Sequence, residues 1–323
     1  MRRVKFGLIG CGRIAQLVHL KILTRLPGVQ LIALAEIDSE RLKAAGRRVP
    51  KAILFTNYHE LLAMPEIQAV VICLPNALHA EAALAALEQN KHVYLEKPLA
   101  TNLEEGRLLL SAWKDSGKVG MIGFNYRFNR CYQKMSRLIR SGEIGNLVSV
   151  RSVFSSASWP LPPWKQTLET GGGVLADLAV HHVDLMHFIF GQKIQKIFAQ
   201  IRSQSSEGDS GTLQLELESG LLIQSFFSLS TVDEDRWEIY ARGRKFSLNR
   251  HYSFSWRKIL RPKYEPSYSA ALVHFVESIK CDCQAKPDFL DGYHSLQVIA
   301  AAEESVRTGQ AVAPNTVYED SAR

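Results

Sequence analysis

The sequence has no apolar run of the roughly 18 residues that a membrane-crossing helix needs. Its opening, Met1-Arg2-Arg3-Val4-Lys5-Phe6, lacks a long apolar stretch followed by small residues, so no secretory signal is expected. Cysteine is scarce and irregular: Cys11, Cys73 and Cys131 are scattered, and Cys281 and Cys283 stand too close for a usual bridge or a CxxC site. Reduced thiols and a cytoplasmic location are expected. The formal charge is +7, yet there is no basic tail and no nucleic-acid motif, so a generally basic surface is expected rather than a nucleic-acid partner. Internal repeats and low-complexity segments are absent as well. What remains is a globular composition, 46% apolar and 22% charged, on a chain long enough for two domains.

Val4 to Ile9 is apolar at every position but Lys5, which suits a strand covered on both faces. It leads into Gly10-Cys11-Gly12-Arg13-Ile14-Ala15 and then a helical pattern to about Leu26. This is the strand, glycine turn and helix of a dinucleotide-binding unit. Gly10 permits the turn, Gly12 lets a pyrophosphate approach the backbone, and the small Ala15 lets the helix pack on the strand. The second strand, Gln30 to Ala35, ends on Glu36-Ile37-Asp38. A carboxylate there accepts from the adenosine ribose hydroxyls and repels a 2′-phosphate, which favours NAD over NADP. Asp38 fits the cap of the helix Ser39 to Gly46, which leaves Glu36 for the ribose.

Ala69 to Leu74 reads as another buried strand, ending in Pro75-Asn76-Ala77-Leu78-His79. Asn76 either caps the following helix or contacts a ligand, and His79 reads as a packed histidine near the cofactor. His92 to Leu95 is a further strand, stopped by Glu96-Lys97-Pro98. Ligands bind outside the carboxyl ends of strands in an open parallel sheet, so Lys97 stands where a ligand would sit. A helix from Asn102 to Ser116 and a strand from Val119 to Gly123 complete a strand-helix alternation that implies a parallel, doubly wound sheet.

Beyond Gly123 a helix over Cys131 to Ser141 is followed by runs of period-two alternation. They are Leu147 to Val153, Ile194 to Ile201, Thr212 to Leu217, Leu221 to Leu229, Trp237 to Ala241 and Lys245 to Leu248. These predict half-buried, mostly antiparallel strands, with one apolar face left to bury on another subunit. Helical patterns return at Ala270 to Ile279 and Tyr293 to Thr308. Trp159 to Trp164 reads as a rigid aromatic loop, and a tryptophan face suits the apolar face of a sugar ring. After Gly171-Gly172-Gly173, helical spacing sets Asp177, His181 and Asp184 on one face, with His182 turned away. His181, Asp184 and His187 carry metal-ligand atoms, but all from one helix, so no metal is expected.

Together, Gly10 to Ala15, Pro75 to His79, Lys91 to Leu99, Asn125-Tyr126-Arg127-Phe128, Gly171 to Asp184, Asp291-Gly292 and Glu304 to Gly309 resemble the glucose–fructose oxidoreductase / inositol dehydrogenase (Gfo/Idh/MocA) family over nearly the whole chain. The resemblance implies an α/β fold. Residues 1–122 would be a Rossmann domain with a doubly wound parallel sheet, and residues 123–323 an α+β domain with a large, mainly antiparallel open sheet. It implies a nicotinamide cofactor, NAD rather than NADP, and oxidation or reduction of a secondary alcohol or ketone on a sugar, cyclitol or related polyol. It implies a homodimer or homotetramer formed through the C-terminal sheet. The family's Lys-Asp-His set carries over to Lys97, Asp177 and His181 as catalytic residues, with Arg127 and Trp164 joining them at the substrate. Gly10, Gly12, Arg13, Ile14, Ala15, Glu36, Pro75, Asn76, His79, Glu96 and Lys97 would line the cofactor. The Lys97–Pro98 bond is expected to be cis. An apolar residue is usual in the family where His182 stands here. Two rival readings keep the same cofactor site, a non-catalytic NAD-binding regulator and an NAD-dependent glycosidase.

Overall fold

Apolar runs form the strands of the first sheet, buried in all but the short third one, as such runs are when helices cover both faces. They are β1 (Val4–Ile9), β2 (Val29–Ala35), β3 (Ile53–Phe55), β4 (Ala69–Ile72), β5 (His92–Leu95) and β6 (Gly120–Ile122). All pair in parallel in the order β3-β2-β1-β4-β5-β6. The order reverses between β1 and β4, which makes the carboxyl edge there the place for a ligand. Connecting helices are α1 (Leu20–Leu23, entered through a π-helical turn at Ala15–His19), α2 (Ser39–Gly46), α3 (Tyr58–Leu62), α4 (His79–Glu88) and α5 (Leu103–Ser116). The computed structural model describes residues 3–156, 161–169, 171–250 and 266–314, with the side chain of Trp164 outside that set.

The chain divides into two units, Met1–Phe128 with Lys263–Tyr293, and Asn129–Pro262 with His294–Arg323. A single cut after residue 122 is therefore not what the chain does. Helix α8 (Pro266–Lys280) returns to the first unit, where Phe275 packs edge-on against Phe6 and Tyr94, at 6.1 and 5.8 Å between ring centres. The last helix is α9 (Phe289–Thr308).

The second unit holds α6 (Arg130–Arg140), α7 (Val180–Phe190, entered through a π-helical turn at Leu175–Ala179) and a six-stranded sheet. Its strands are β7 (Leu147–Ser155), β8 (Ile194–Arg202), β9 (Ser210–Leu217), β10 (Leu222–Ser228), β11 (Glu234–Ala241) and β12 (Arg244–Asn249), in the order β12-β11-β7-β10-β9-β8. Pairing is antiparallel except between β7 and β10. Alternate residues are buried, as period two requires: Val150, Ser152 and Phe154 on β7, Trp237 and Ile239 on β11.

The other face departs from the expected apolar surface. In register across it lie Glu238, Arg151, Gln224 and Gln214 in one row, and Arg236, Val153, Phe226 and Thr212 in the next. Phe226 and Leu222 are the exposed large apolar side chains of β10. The face is mixed, not apolar, because the alternation places glutamine, threonine and charged residues at most outward positions.

Inside this unit a charged cluster is buried. Asp235 and His182 are fully enclosed. The Tyr132 hydroxyl donates to Asp235 at 2.6 Å, and the Arg250 guanidinium pairs with it at 2.5 Å. His182 stacks on Phe154 at 4.9 Å, lies 3.4 Å from Asp235, and reaches the Ser152 hydroxyl at 3.3 Å. The histidine that departs from the family pattern thus has a polar environment made for it in the core. Burial holds His182 below its usual range despite Asp235, and Arg250 brings a guanidinium to the same carboxylate.

Candidate active site

In the first unit the glycine turn is built by two different demands. Gly10 has φ +85°, and a Cβ there would lie 2.5 Å from the Cys73 carbonyl oxygen, so only glycine fits. Gly12 is the opposite case, since a Cβ would meet nothing within 4 Å. The backbone at Gly12 is open, which is the space a pyrophosphate needs. Arg13 and Ile14 begin the helix, exposed and half-buried, and Ala15 is buried against the sheet.

Glu36, at the end of β2, reaches across to this turn. One carboxylate oxygen accepts the Cys11 N–H at 2.8 Å, and the other accepts the Asp38 N–H at 3.0 Å and pairs with Arg41 at 3.2 Å. Glu36 therefore braces the glycine turn. Asp38 caps α2, accepting from the N–H groups of Glu40 and Arg41. Burial, helped by the Glu36 charge, pushes the Cys11 thiol up to about 12, so it is no nucleophile. All five cysteines are free thiols.

Along the same carboxyl edge, Pro75 leads into a 3₁₀ turn at Asn76–Leu78. Asn76 is buried, and the N-cap position of α4 falls to Leu78, which makes no side-chain cap. His79 is buried with its Nδ1 2.6 Å from the Pro98 carbonyl and its Nε2 2.9 Å from the Leu74 carbonyl. Lys97 is half-buried and joined to Pro98 by a cis peptide bond, as expected. Glu96 is buried and meets His19 Nε2 at 2.6 Å. Arg127 pairs with Asp291 at 3.2 Å within this unit, so its guanidinium is already engaged by a carboxylate.

In the second unit Asp177 sits in the π-helical turn and His181 in the first turn of α7. The π turn changes the spacing that a regular helix would give, so sequence periodicity alone does not fix the relative directions of Asp177, His181 and Asp184. His181 is 8% exposed and lies edge-on to Phe154, and Asp184 is buried. Asp177 accepts from the Lys165 ammonium at 2.7 Å. This partner is held in place by the glycine run, because a Cβ at Gly172 would lie 2.4 Å from the Lys165 carbonyl oxygen. Lys165 stands one residue after Trp164, in the 3₁₀ turn Pro163–Lys165. The side chain of Trp164, and all of Trp159, lie outside the described residues. Among the described residues no three metal-ligating side chains are grouped to hold an ion, and no helix is long and apolar enough to cross a membrane.

Two residues at these sites escape a reading of sequence. Lys165 was detectable only as a neighbour of the aromatic loop. His19 carries no signal, since a histidine in an apolar helix reads as packing.

Residues 4–124 match the oxidoreductase family with an NAD-binding Rossmann fold, Gfo/Idh/MocA, and residues 132–247 match the Gfo/Idh/MocA C-terminal domain. A myo-inositol 2-dehydrogenase of Thermotoga maritima is 24% identical over 96% of this chain and 98% of its own. A scyllo-inositol 2-dehydrogenase (NAD(+)) of Bacillus subtilis is 23% identical over 96% of both chains. A levoglucosan dehydrogenase solved with NADH and L-sorbose is 22% identical, covers 97% of this chain and 99% of its own, and has the same fold at a TM-score of 0.86. With matches over residues 4–124 and 132–247, and with the parallel sheet and glycine turn of a Rossmann fold, the chain belongs to the Gfo/Idh/MocA family of NAD-binding oxidoreductases.

Proposed function

We propose that the protein is an NAD-dependent dehydrogenase that interconverts a secondary alcohol and a ketone on a cyclitol, sugar or related polyol. The observation that carries this reading is Lys97. It follows β5 directly, at the same carboxyl edge of the parallel sheet as the Gly10–Ala15 turn and Glu36. The dehydrogenases named above, acting on inositols and levoglucosan, support the substrate class.

Gly10, Gly12, Arg13, Ile14, Ala15, Glu36, Pro75, Asn76, His79 and Glu96 would hold NAD, and the open backbone at Gly12 fits that assignment. NAD, when bound, supplies the two-electron acceptor for the carbinol carbon. His181 takes the hydroxyl proton, since an imidazole changes charge near neutral pH. The Lys97 ammonium stabilises negative charge as it develops on the substrate oxygen. Asp177, held by Lys165, orients His181 or accepts from a neighbouring substrate hydroxyl. Arg127 and Trp164 contribute to substrate binding. The work is done in the cytoplasm, by a homodimer or homotetramer formed through the second sheet, with the first unit chiefly serving the cofactor and the second the substrate and assembly.

A panel of inositols, polyols, aldoses and sugar acids, incubated with NAD and followed at the NADH absorbance band, tests the reading. Turnover with at least one neutral polyol is expected. It should fall roughly 10²-fold or more in Lys97→Met and His181→Ala, the scale for losing a general acid-base group. Cleavage of a glycoside with no net NADH would replace the dehydrogenase by the glycosidase chemistry of the same fold, and NAD binding with no turnover on any member would favour a regulator.

A further inference from the structure

The residues on either side of Lys97 are each held by a buried imidazole, and neither has a role in the reading above beyond lining the cofactor. Before it, the Glu96 carboxylate receives His19 Nε2 at 2.6 Å. Gly123 leaves the room for this, since a Cβ there would lie 2.9 Å from Glu96 Oε2. After it, the Pro98 carbonyl receives His79 Nδ1 at 2.6 Å. The two histidines come from opposite sides. His19 ends the π-helical turn between β1 and β2, and His79 opens α4 between β4 and β5. Because the strand order runs outward from β1 in both directions, right-handed crossovers place those two connections on opposite faces of the sheet.

Both imidazoles are costly choices for their places. His19 is fully buried, edge-on to Tyr94 and Tyr268, and its Nδ1 has no hydrogen-bond partner among the described residues. Such an orphan is destabilising, and a leucine would avoid it, so what the position gains from histidine is the bond to Glu96. His79 is also buried, and burial holds it below its usual range against the carbonyls that pull it up. Its two ring nitrogens face two carbonyls, and the shorter contact is the one to Pro98.

We propose that His19 and His79 are positioning residues that clamp Lys97 from the two faces of the sheet, fixing the backbone from which its flexible side chain extends. A lysine side chain has four rotatable bonds, and a shift of its Cα displaces the whole reach of the ammonium. The proposal rests on Lys97 being catalytic, and its test is chosen to stand apart from that assignment. The apo protein would be treated briefly with an amine-reactive acylating reagent and each lysine's modification read by peptide mass spectrometry.

In His19→Leu and His79→Leu, the rate at Lys97 relative to the other lysines should rise about threefold, the effect of a modest change in the environment of its amine. His19→Gln, whose amide mimics Nε2, and His79→Asn, whose amide mimics Nδ1, should return it toward wild type. Should the leucine variants fail to fold, His19→Asn and His79→Gln, with amides mismatched in length, carry the same comparison. An unchanged Lys97 rate in folded mismatched or leucine variants overturns the clamp. So do equal rates in matched and mismatched amides. On a turned-over polyol, His19→Leu should lose kcat with KM and NAD affinity within a few-fold. Absence of any substrate would count against the dehydrogenase reading while the labelling result still decides the clamp.

Discussion

Gly10 and Gly12 look alike in a sequence motif and are opposite in physics. Gly10 is constrained by the protein itself, through its positive φ and the Cys73 carbonyl against it, whereas Gly12 faces open space. Gly10→Ala is therefore expected to lower thermal stability and abolish NAD binding together. Gly12→Ala should leave the melting temperature within about 2 °C, a surface-like effect of under 0.5 kcal/mol, while calorimetry shows weakened NAD binding. The ribose role proposed for Glu36 would add to its brace on the Cys11 N–H. Glu36→Gln keeps an acceptor for the Cys11 N–H and removes the charge that repels a 2′-phosphate, so the preference for NAD over NADP should narrow in titrations with both cofactors. An unchanged ratio would take Glu36 away from the ribose.

At the scale of elements, the buried Asp235 ties β11 to α6 through Tyr132, to α7 through His182 and to the end of β12 through Arg250. Burial alone would raise its carboxyl, but His182, Arg250 and Tyr132 outweigh that and hold it well below the usual carboxylate range. A depressed folded-state value means the stabilisation is complete above the unfolded range, near pH 4, and is lost as pH falls further. Asp235→Leu should cost about 3–5 kcal/mol at pH 7 by stranding the guanidinium. The gap in melting temperature between wild type and Asp235→Asn should shrink below pH 4. A gap that stays constant down to pH 2 would remove Asp235 as the titrating group.

Nearly all strands and helices were legible in sequence, because period-two and period-3.6 patterns and caps such as Asn102, which accepts from the Glu105 N–H, are local. The exceptions have physical reasons. β3 is three residues long and mostly exposed, so it leaves no pattern. The π-helical turns at Ala15–His19 and Leu175–Ala179 alter helical spacing where chemistry is placed, and no residue type announces them. Lys97, Asp177 and His181 were singled out as candidates by motif. Lys165 and His19 were not, because a partner brought in by tertiary structure is invisible to spacing.

For the whole molecule, the outward face of the second sheet carries exposed Phe226 and Leu222 among glutamine, arginine and glutamate. A polar-rimmed surface of this sort suits pairing between folded subunits. Light scattering is expected to give a dimer or tetramer, and Phe226→Glu to shift it toward monomer, with a monomeric wild type refuting assembly through this face. The return of Lys263–Tyr293 to the first unit bears on biosynthesis. A ribosome usually releases an N-terminal domain to fold while the rest is still being made. Here β1 and β5 keep Phe6 and Tyr94 waiting for Phe275, so the nucleotide-binding half cannot close its core until almost the entire chain has been translated. The second unit waits as well, since its last piece begins only at His294, where Val312 bridges Ile197 of β8, so neither half of this protein is complete before the final stretch of chain appears.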